Sequence, residues 1–346
     1  MAPVGVYSRL KAYYAGEKEP ALPPISTTTA VALLIGYTFI YVAPFYLSST
    51  TRPSPNLSRD APSVIRGRIR SVTTSCIICS MFTFVLLSVQ DNGGAIKSIH
   101  LMGWFPIGIF EALKGVALTA ILFLGPLFEG AVAEGQWRDW CRLRGLNSVI
   151  SGWMGWRNFV AGPITEEVLF RSASVPLLLL ARTSNTTIIF LTPIVFGLAH
   201  IHHFYEFRIT HPDTPVVAAL LRTILQLSYT TLFGGYVTFL YMRTGSLLCV
   251  ILVHAFCNWQ GLPRVWGRVT AGESTSGDRG LGEAKRSEDG PGWETDGKLS
   301  IAWTIAYYIL LVAGAIAWWQ YLWPLTESEL ALTTFSTTRE TRKVRH

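Results

Sequence analysis

Apolar runs of about twenty residues recur along this chain, and each is long enough to cross roughly 30 Å of hydrocarbon. Hydrocarbon offers backbone N–H and C=O groups no water, so a crossing segment must satisfy them itself or close into a barrel. Runs this long and continuous predict helices, because barrel strands are about ten residues long and alternate in polarity. Composition supports the same class, with 50% of residues hydrophobic and 15% charged. The expected fold is all-α, a polytopic integral membrane bundle of about eight transmembrane helices enclosing a polar cavity.

The expected spans cover residues 27–47, 71–89, 104–128, 162–180, 186–205, 215–242, 245–262 and 300–323. They divide the chain into a polar N-terminal tail (1–25), a membrane-embedded domain (26–324) with a disordered polar loop at 263–298, and a C-terminal tail (325–346). Aromatic residues of the first span (Tyr37, Phe39, Tyr41, Phe45 and Tyr46) are expected near an interface. Residues 129–159 mix Arg138, Arg142, Arg144 and Arg157 with Trp137, Trp140, Trp153 and Trp156, a pattern for the headgroup layer and not for a span. Glu111 and Lys114 stand three apart in the third span and are expected to pair.

The net charge of +7 does not read as a nucleic-acid footprint, because the basic residues cluster in loops between apolar runs. The basic loops 48–70, 129–159 and 263–298 fall on one side if 162–180 counts as a span, which places them in the cytoplasm and both termini across the membrane. Residues 1–24 are polar and do not read as a cleavable signal, so the first helix is expected to serve for targeting. Five cysteines offer no disulfide framework, and the Cys76/Cys79 pair lacks a partner pair for a metal site.

The chemistry concentrates at the head of 162–180, in Gly162-Pro163-Ile164-Thr165-Glu166-Glu167 followed by Arg171. On a helix Glu167 and Arg171 stack as an i,i+4 pair, while Glu166 is turned about 100° away. One acid is thereby neutralised in place and the other left free. Two later apolar segments carry Phe196-Gly-Leu-Ala-His200 and His254-Ala-Phe-Cys-Asn258. Ionisable and amide groups at membrane depth need partners, and the simplest partners are one another. Such a set can hydrolyse: a carboxylate and an imidazole activate water, and a second imidazole with an amide donates to the oxyanion. Zinc held by His200, His254 and a carboxylate is a rival reading, although no HExxH helix is present. Ser172, Ser174 and Cys257 lack the setting of an activated nucleophile.

Glu166-Glu167-x-x-x-Arg171, Phe196-x-x-x-His200 and His254-x-x-x-Asn258, in that order on successive membrane segments, resemble the CAAX protease and bacteriocin-processing enzyme family. The likeness is greatest to its eukaryotic type II CAAX prenyl endopeptidases, the Ras-converting enzymes. The resemblance implies a multi-pass endoplasmic reticulum protease, with its site open to the cytosol, that removes the aaX tripeptide from farnesylated or geranylgeranylated CAAX proteins. Ras and Rho-type small GTPases are the implied partners, with membrane lipid and without nucleic acid. It further implies metal- and cofactor-free catalysis, Glu166 and His200 activating water, His254 and Asn258 stabilising the transition state, and Glu167 and Arg171 in support. The alternative is a non-catalytic scaffold or transporter subunit of the same fold.

Overall fold

The protein, as a computed structural model, is described over residues 22–90, 94–270 and 299–335. Its principal helices are α1 (Thr27–Val42), α2 (Pro62–Gln90), α3 (Ile109–Leu122), α4 (Gly162–Glu167), α5 (Val175–Leu180), α6 (Asn185–Ala199), α7 (His202–Thr210), α8 (Val216–Thr244), α9 (Leu247–Gln260) and α10 (Ile301–Thr326). Serine hydroxyls start three of them: Ser26, Ser184 and Ser246 accept from the amides of Thr29, Thr187 and Cys249. Each satisfies a donor that a helix start leaves open.

Among the described residues, five helical segments are long and apolar enough to cross a membrane, or six if one bent pair is a single span. The chain is therefore a polytopic all-α membrane protein, but the expected eight spans are too many. Residues 162–180 do not form one rod: α4 and α5 are separated by a π-helical turn, Val168–Ala173. Pro176 has no N–H to offer the preceding turn, and the Ser174 hydroxyl donates instead to the Leu169 carbonyl at 2.8 Å. Helix α9 has 14 residues, about 21 Å, too few for a span of its own. The expected span 104–128 bends by 80° between Ile109–Leu122 and Leu124–Ala133, where Pro126 cannot donate to the turn before it.

Short helices build 129–159, among them Trp137–Cys141, Arg144–Ser151 and Trp153–Trp156, and none is a span. Helix α8 packs along α6, and α10 packs on α3 and its bent continuation. Helix α4 lies against α2 and α9, so the Glu-Glu segment sits inside the bundle. Phe110, Phe190 and Leu232 are exposed on the outside, as a lipid-facing surface requires.

Three expectations of detail are corrected. Tyr37, Tyr41 and Phe45, four apart, form an inward stripe and are buried, so they do not serve as an interfacial belt. The Tyr37 and Tyr41 hydroxyls pair with those of Thr83 and Thr165. Helix α2 starts at Pro62, nine residues before the apolar run, because Arg68 is satisfied by Glu206 at 2.6 Å and by the Thr51 carbonyl. Glu111 does not pair with Lys114; it accepts from the Ser328 hydroxyl at 2.9 Å, and Lys114 faces outward. A further tie joins the two halves of the chain: Glu129 takes Arg264 at 2.7 Å and holds that guanidinium above its usual pKa.

Residues 1–21 of the expected N-terminal tail, 271–298 of the expected polar loop and 336–346 of the expected C-terminal tail lie outside the described residues.

Close packing of α10 on α3 depends on Gly314, whose added Cβ would lie 2.5 Å from the Ile121 carbonyl. Gly314→Val is expected to force the helices apart at a cost of about 1 to 3 kcal/mol. A melting temperature in detergent equal to wild type would show that this contact is not tight.

Candidate active site

Helix α4 follows directly on a π-helical turn, Arg157–Ala161, carries Pro163 in its first turn, and presents Thr165, Glu166 and Glu167 in sequence. Thr165 is held from three sides. Its hydroxyl donates to the Ala161 carbonyl at 2.7 Å and meets the Tyr41 hydroxyl at 3.1 Å, while its carbonyl accepts from the Cys76 thiol at 3.2 Å. The backbone from which both glutamates project is thus fixed by α1 and α2.

Glu167 is fully buried and accepts from Arg171 at 3.0 Å. Arg171, also buried, donates at 3.3 Å to the Gly234 carbonyl of α8 and lies over the Phe196 ring at 4.8 Å. Gly234 is required here, since any Cβ would stand 3.3 Å from that guanidinium and 3.0 Å from Pro193. Helix α8 passes unbroken through Gly234-Gly235, so the glycines serve close approach and do not interrupt the helix.

His254 of α9 is buried beside the acids. Its Nδ1 lies 2.6 Å from the same Glu167 oxygen that takes Arg171, and its Nε2 lies 3.9 Å from Glu166 Oε2. Phe233 packs against the imidazole at 4.8 Å. Glu166 keeps 24% of its side chain exposed, in contrast to its neighbour. A carboxylate on Nδ1 makes that nitrogen the donor and aims Nε2 at Glu166. The 3.9 Å gap is too long for a direct hydrogen bond and fits one water touching both.

The remaining two candidates stand at the margin of this group. His200, at the end of α6, places Nδ1 2.9 Å from the Phe196 carbonyl. This leaves Nε2 as the free lone pair. Its ring packs edge-on against Phe196 at 4.8 Å, and it makes no direct contact with Glu166 or His254. Asn258 does not bond His254; its amide donates to the Asn158 carbonyl at 2.8 Å, and it is exposed. The geometry thus joins Glu166, Glu167, Arg171 and His254 directly, with His200 linked through Phe196 and Asn258 anchored on Asn158.

The Ser172 and Ser174 hydroxyls are buried and donate to the Met102 and Leu169 carbonyls, so neither is poised as a nucleophile. Among the described residues one group of three has ligating atoms within 4.8 Å of one another: His202, His203 and Glu206. It fits a cation poorly, because Glu206 is already bound by Arg68 at 2.6 Å and by His203 at 3.3 Å; the Ala199 carbonyl takes His202 Nδ1, which leaves the buried His202 Nε2 as the one unpartnered nitrogen of that ring. Tyr41, Cys76 and Asn158 carry no sequence signal of a role at the site, whereas Gly234-Gly235, with Arg222 and Gln226, marks α8 as a wall facing a polar cavity. Only the inward four-residue spacing of Tyr37, Tyr41 and Phe45 could have drawn attention to α1.

Residues 148–260, which contain all six candidates, match the family described as type II CAAX prenyl endopeptidase Rce1-like. The chain is 38% identical to "Probable CAAX prenyl protease 2" of Schizosaccharomyces pombe, over 67% of this chain and 81% of that one. The chain belongs to the type II CAAX prenyl endopeptidase family. CAAX prenyl protease 2 of Arabidopsis thaliana is 32% identical, over 69% of this chain and 81% of its own. CAAX prenyl protease 2 of Saccharomyces cerevisiae is 28% identical, over 82% and 92%. No solved structure matches the chain. Family membership makes this a membrane-embedded protease.

Arg171→Ala would leave Glu167 buried with one of its two partners gone, at a cost of about 3 to 5 kcal/mol. The variant is expected to give low yield and a melting temperature well below wild type. A melting temperature within a degree of wild type would show that the pair does not hold the core.

Proposed function

We propose that this protease hydrolyses the bond after the prenylated cysteine of CAAX proteins and releases the aaX tripeptide, using water activated without a metal ion. The observation that carries this reading is the 3.9 Å gap between Glu166 Oε2 and His254 Nε2, with the imidazole held by Glu167 and the backbone beside Glu166 held through Thr165. Glu166, partly exposed beside buried charge, is the base that takes a proton from water as it attacks the scissile carbonyl. His254 in its imidazolium form donates from both nitrogens, from Nδ1 to Glu167 and from Nε2 to the developing oxyanion. Glu167 and Arg171 hold that ring in place and keep the local charge balanced. His200, with its Nε2 lone pair free, accepts from the attacking water, the proton taken up by Glu166 passes to the leaving amine, and the second N–H of Asn258 serves the oxyanion.

Metal-free chemistry is supported by the donor set. The Glu167 oxygen nearest His254 is shared with Arg171, and the His202/His203/Glu206 group lies among guanidiniums. The substrates we propose are prenylated CAAX proteins, Ras and Rho-type small GTPases among them, met at the endoplasmic reticulum membrane with the site open to the cytosol. Membrane residues 26–324 are proposed as one catalytic domain.

With a fluorogenic farnesylated peptide, Glu166→Gln is expected to lower kcat by about 10² to 10⁴ while the melting temperature stays near wild type. Wild-type turnover by folded Glu166→Gln protein would remove Glu166 from the reaction. The prenyl chain is expected to remain in lipid or a lipid-open groove, since burial favours it by about 0.8 kcal/mol per CH₂. The same peptide without its lipid should therefore be a very poor substrate, and equal cleavage of the two would contradict a lipid-held substrate.

A further inference from the structure

An arc of five charged side chains borders the site and takes no part in the chemistry above. Arg157 donates to Asp60 at 2.7 Å, and Arg68 donates to Glu206 at 2.6 Å. Arg59 stands between them, 3.9 Å from Asp60 and 4.0 Å from Glu206, and makes no hydrogen bond through its side chain. Three guanidiniums thus face two carboxylates, and the unspent charge is that of Arg59, whose side chain is 43% exposed. Arg68 and Arg157 are each fixed by a short contact, so the arc is held open around the one guanidinium left to bind.

Both ends of the arc run into the proposed catalytic groups. At one end His203 contacts Glu206 at 3.3 Å, and its ring lies 5.7 Å from that of His200. At the other, Arg157 Nε donates to the Asn158 side chain at 2.9 Å, and the Asn158 carbonyl holds Asn258. A peptide cut three residues from its end carries its terminal carboxylate about 10 Å from the scissile bond when extended. Contacts of 5.7 Å, 3.3 Å and 4.0 Å lead in turn from His200 through His203 and Glu206 to Arg59, so the guanidinium lies on the flank of the site along which a short C-terminal tail can extend.

We propose that Arg59 binds the free α-carboxylate of the substrate's last residue and so sets the cut three residues from the chain end. The inference rests on the proposed reading of the substrate. A planar guanidinium with no hydrogen bond of its own suits a carboxylate, which it can take through two N–H groups at once. Arg59 would then be a specificity-determining residue: it ties the enzyme to true C-termini and rejects internal Cys-a-a-X sequences.

The test uses the full-length enzyme in neutral detergent with two farnesylated peptides of one sequence, one ending in a free carboxylate and the other in a carboxamide. Wild type is expected to prefer the acid by about tenfold or more in kcat/KM, mostly through KM. Arg59→Ala and Arg59→Gln should collapse that preference to near unity, and Arg59→Lys should restore part of it. The acid-to-amide ratio is read within one preparation, so it does not depend on how much of a variant folds. Equal cleavage of both peptides by wild type, or an undiminished preference in Arg59→Ala and Arg59→Gln, would overturn the assignment and leave the substrate reading intact. Losses in Arg59→Ala that are the same for both peptides and appear only in vesicles containing anionic lipid would assign Arg59 to the membrane surface and also overturn it. No cleavage of either peptide by wild type would end the substrate reading and this inference with it.

Discussion

A carboxylate with no exposed surface needs partners inside a bundle, and Glu167 has two, the Arg171 guanidinium and the His254 imidazole, on a single oxygen. Much of the interior follows from that requirement. Arg171 in turn needs the Gly234 carbonyl and the Phe196 ring, which brings α8 and α6 against the Glu-Glu segment. His254 brings α9, although that helix is too short to cross a membrane alone. The adjacent Glu166 inherits a fixed position from this arrangement without being consumed by it.

Placing a charged group at such depth costs stability that a purely apolar core would not lose. The site uses that cost to orient atoms. The imidazole cannot rotate without breaking its 2.6 Å contact to Glu167, and α4 cannot roll without releasing Thr165 from Tyr41 and Cys76. Water activation depends on such fixed donors and acceptors more than on any unusual side chain. The π-helical turn after Glu167 belongs to the same design, since wide turns of this kind recur where a helix must re-aim its side chains.

Membrane class and helical content were legible from hydropathy, because lipid leaves a chain few choices. The four-residue step from Glu167 to Arg171 was equally legible, as helix geometry fixes it. Hydropathy counted too many spans because it cannot tell an apolar helix buried by protein from one that crosses lipid: α9 and 162–180 are apolar for the first reason. It also started α2 late, since it treats every arginine as solvent-seeking and Arg68 has a buried acid 138 positions away. Which imidazole would stand beside the acids was not written in any spacing. His200 and His254 both follow apolar runs, and only the packing of α4 on α9 separates their positions. Asn258 shares a helix face with His254 by period, yet its amide turns to Asn158, a partner 100 positions earlier.

The contact between Glu167 and His254 joins residues 87 positions apart, and α9 lies late in the chain. During synthesis both glutamates leave the ribosome and enter the membrane well before the imidazole that completes their site. For that interval Glu167 has only Arg171, and Glu166 has no imidazole across from it. The order of the motifs along the chain therefore leaves the buried Glu167 half-partnered until α9 packs on α4, the last of the three motif segments to be made.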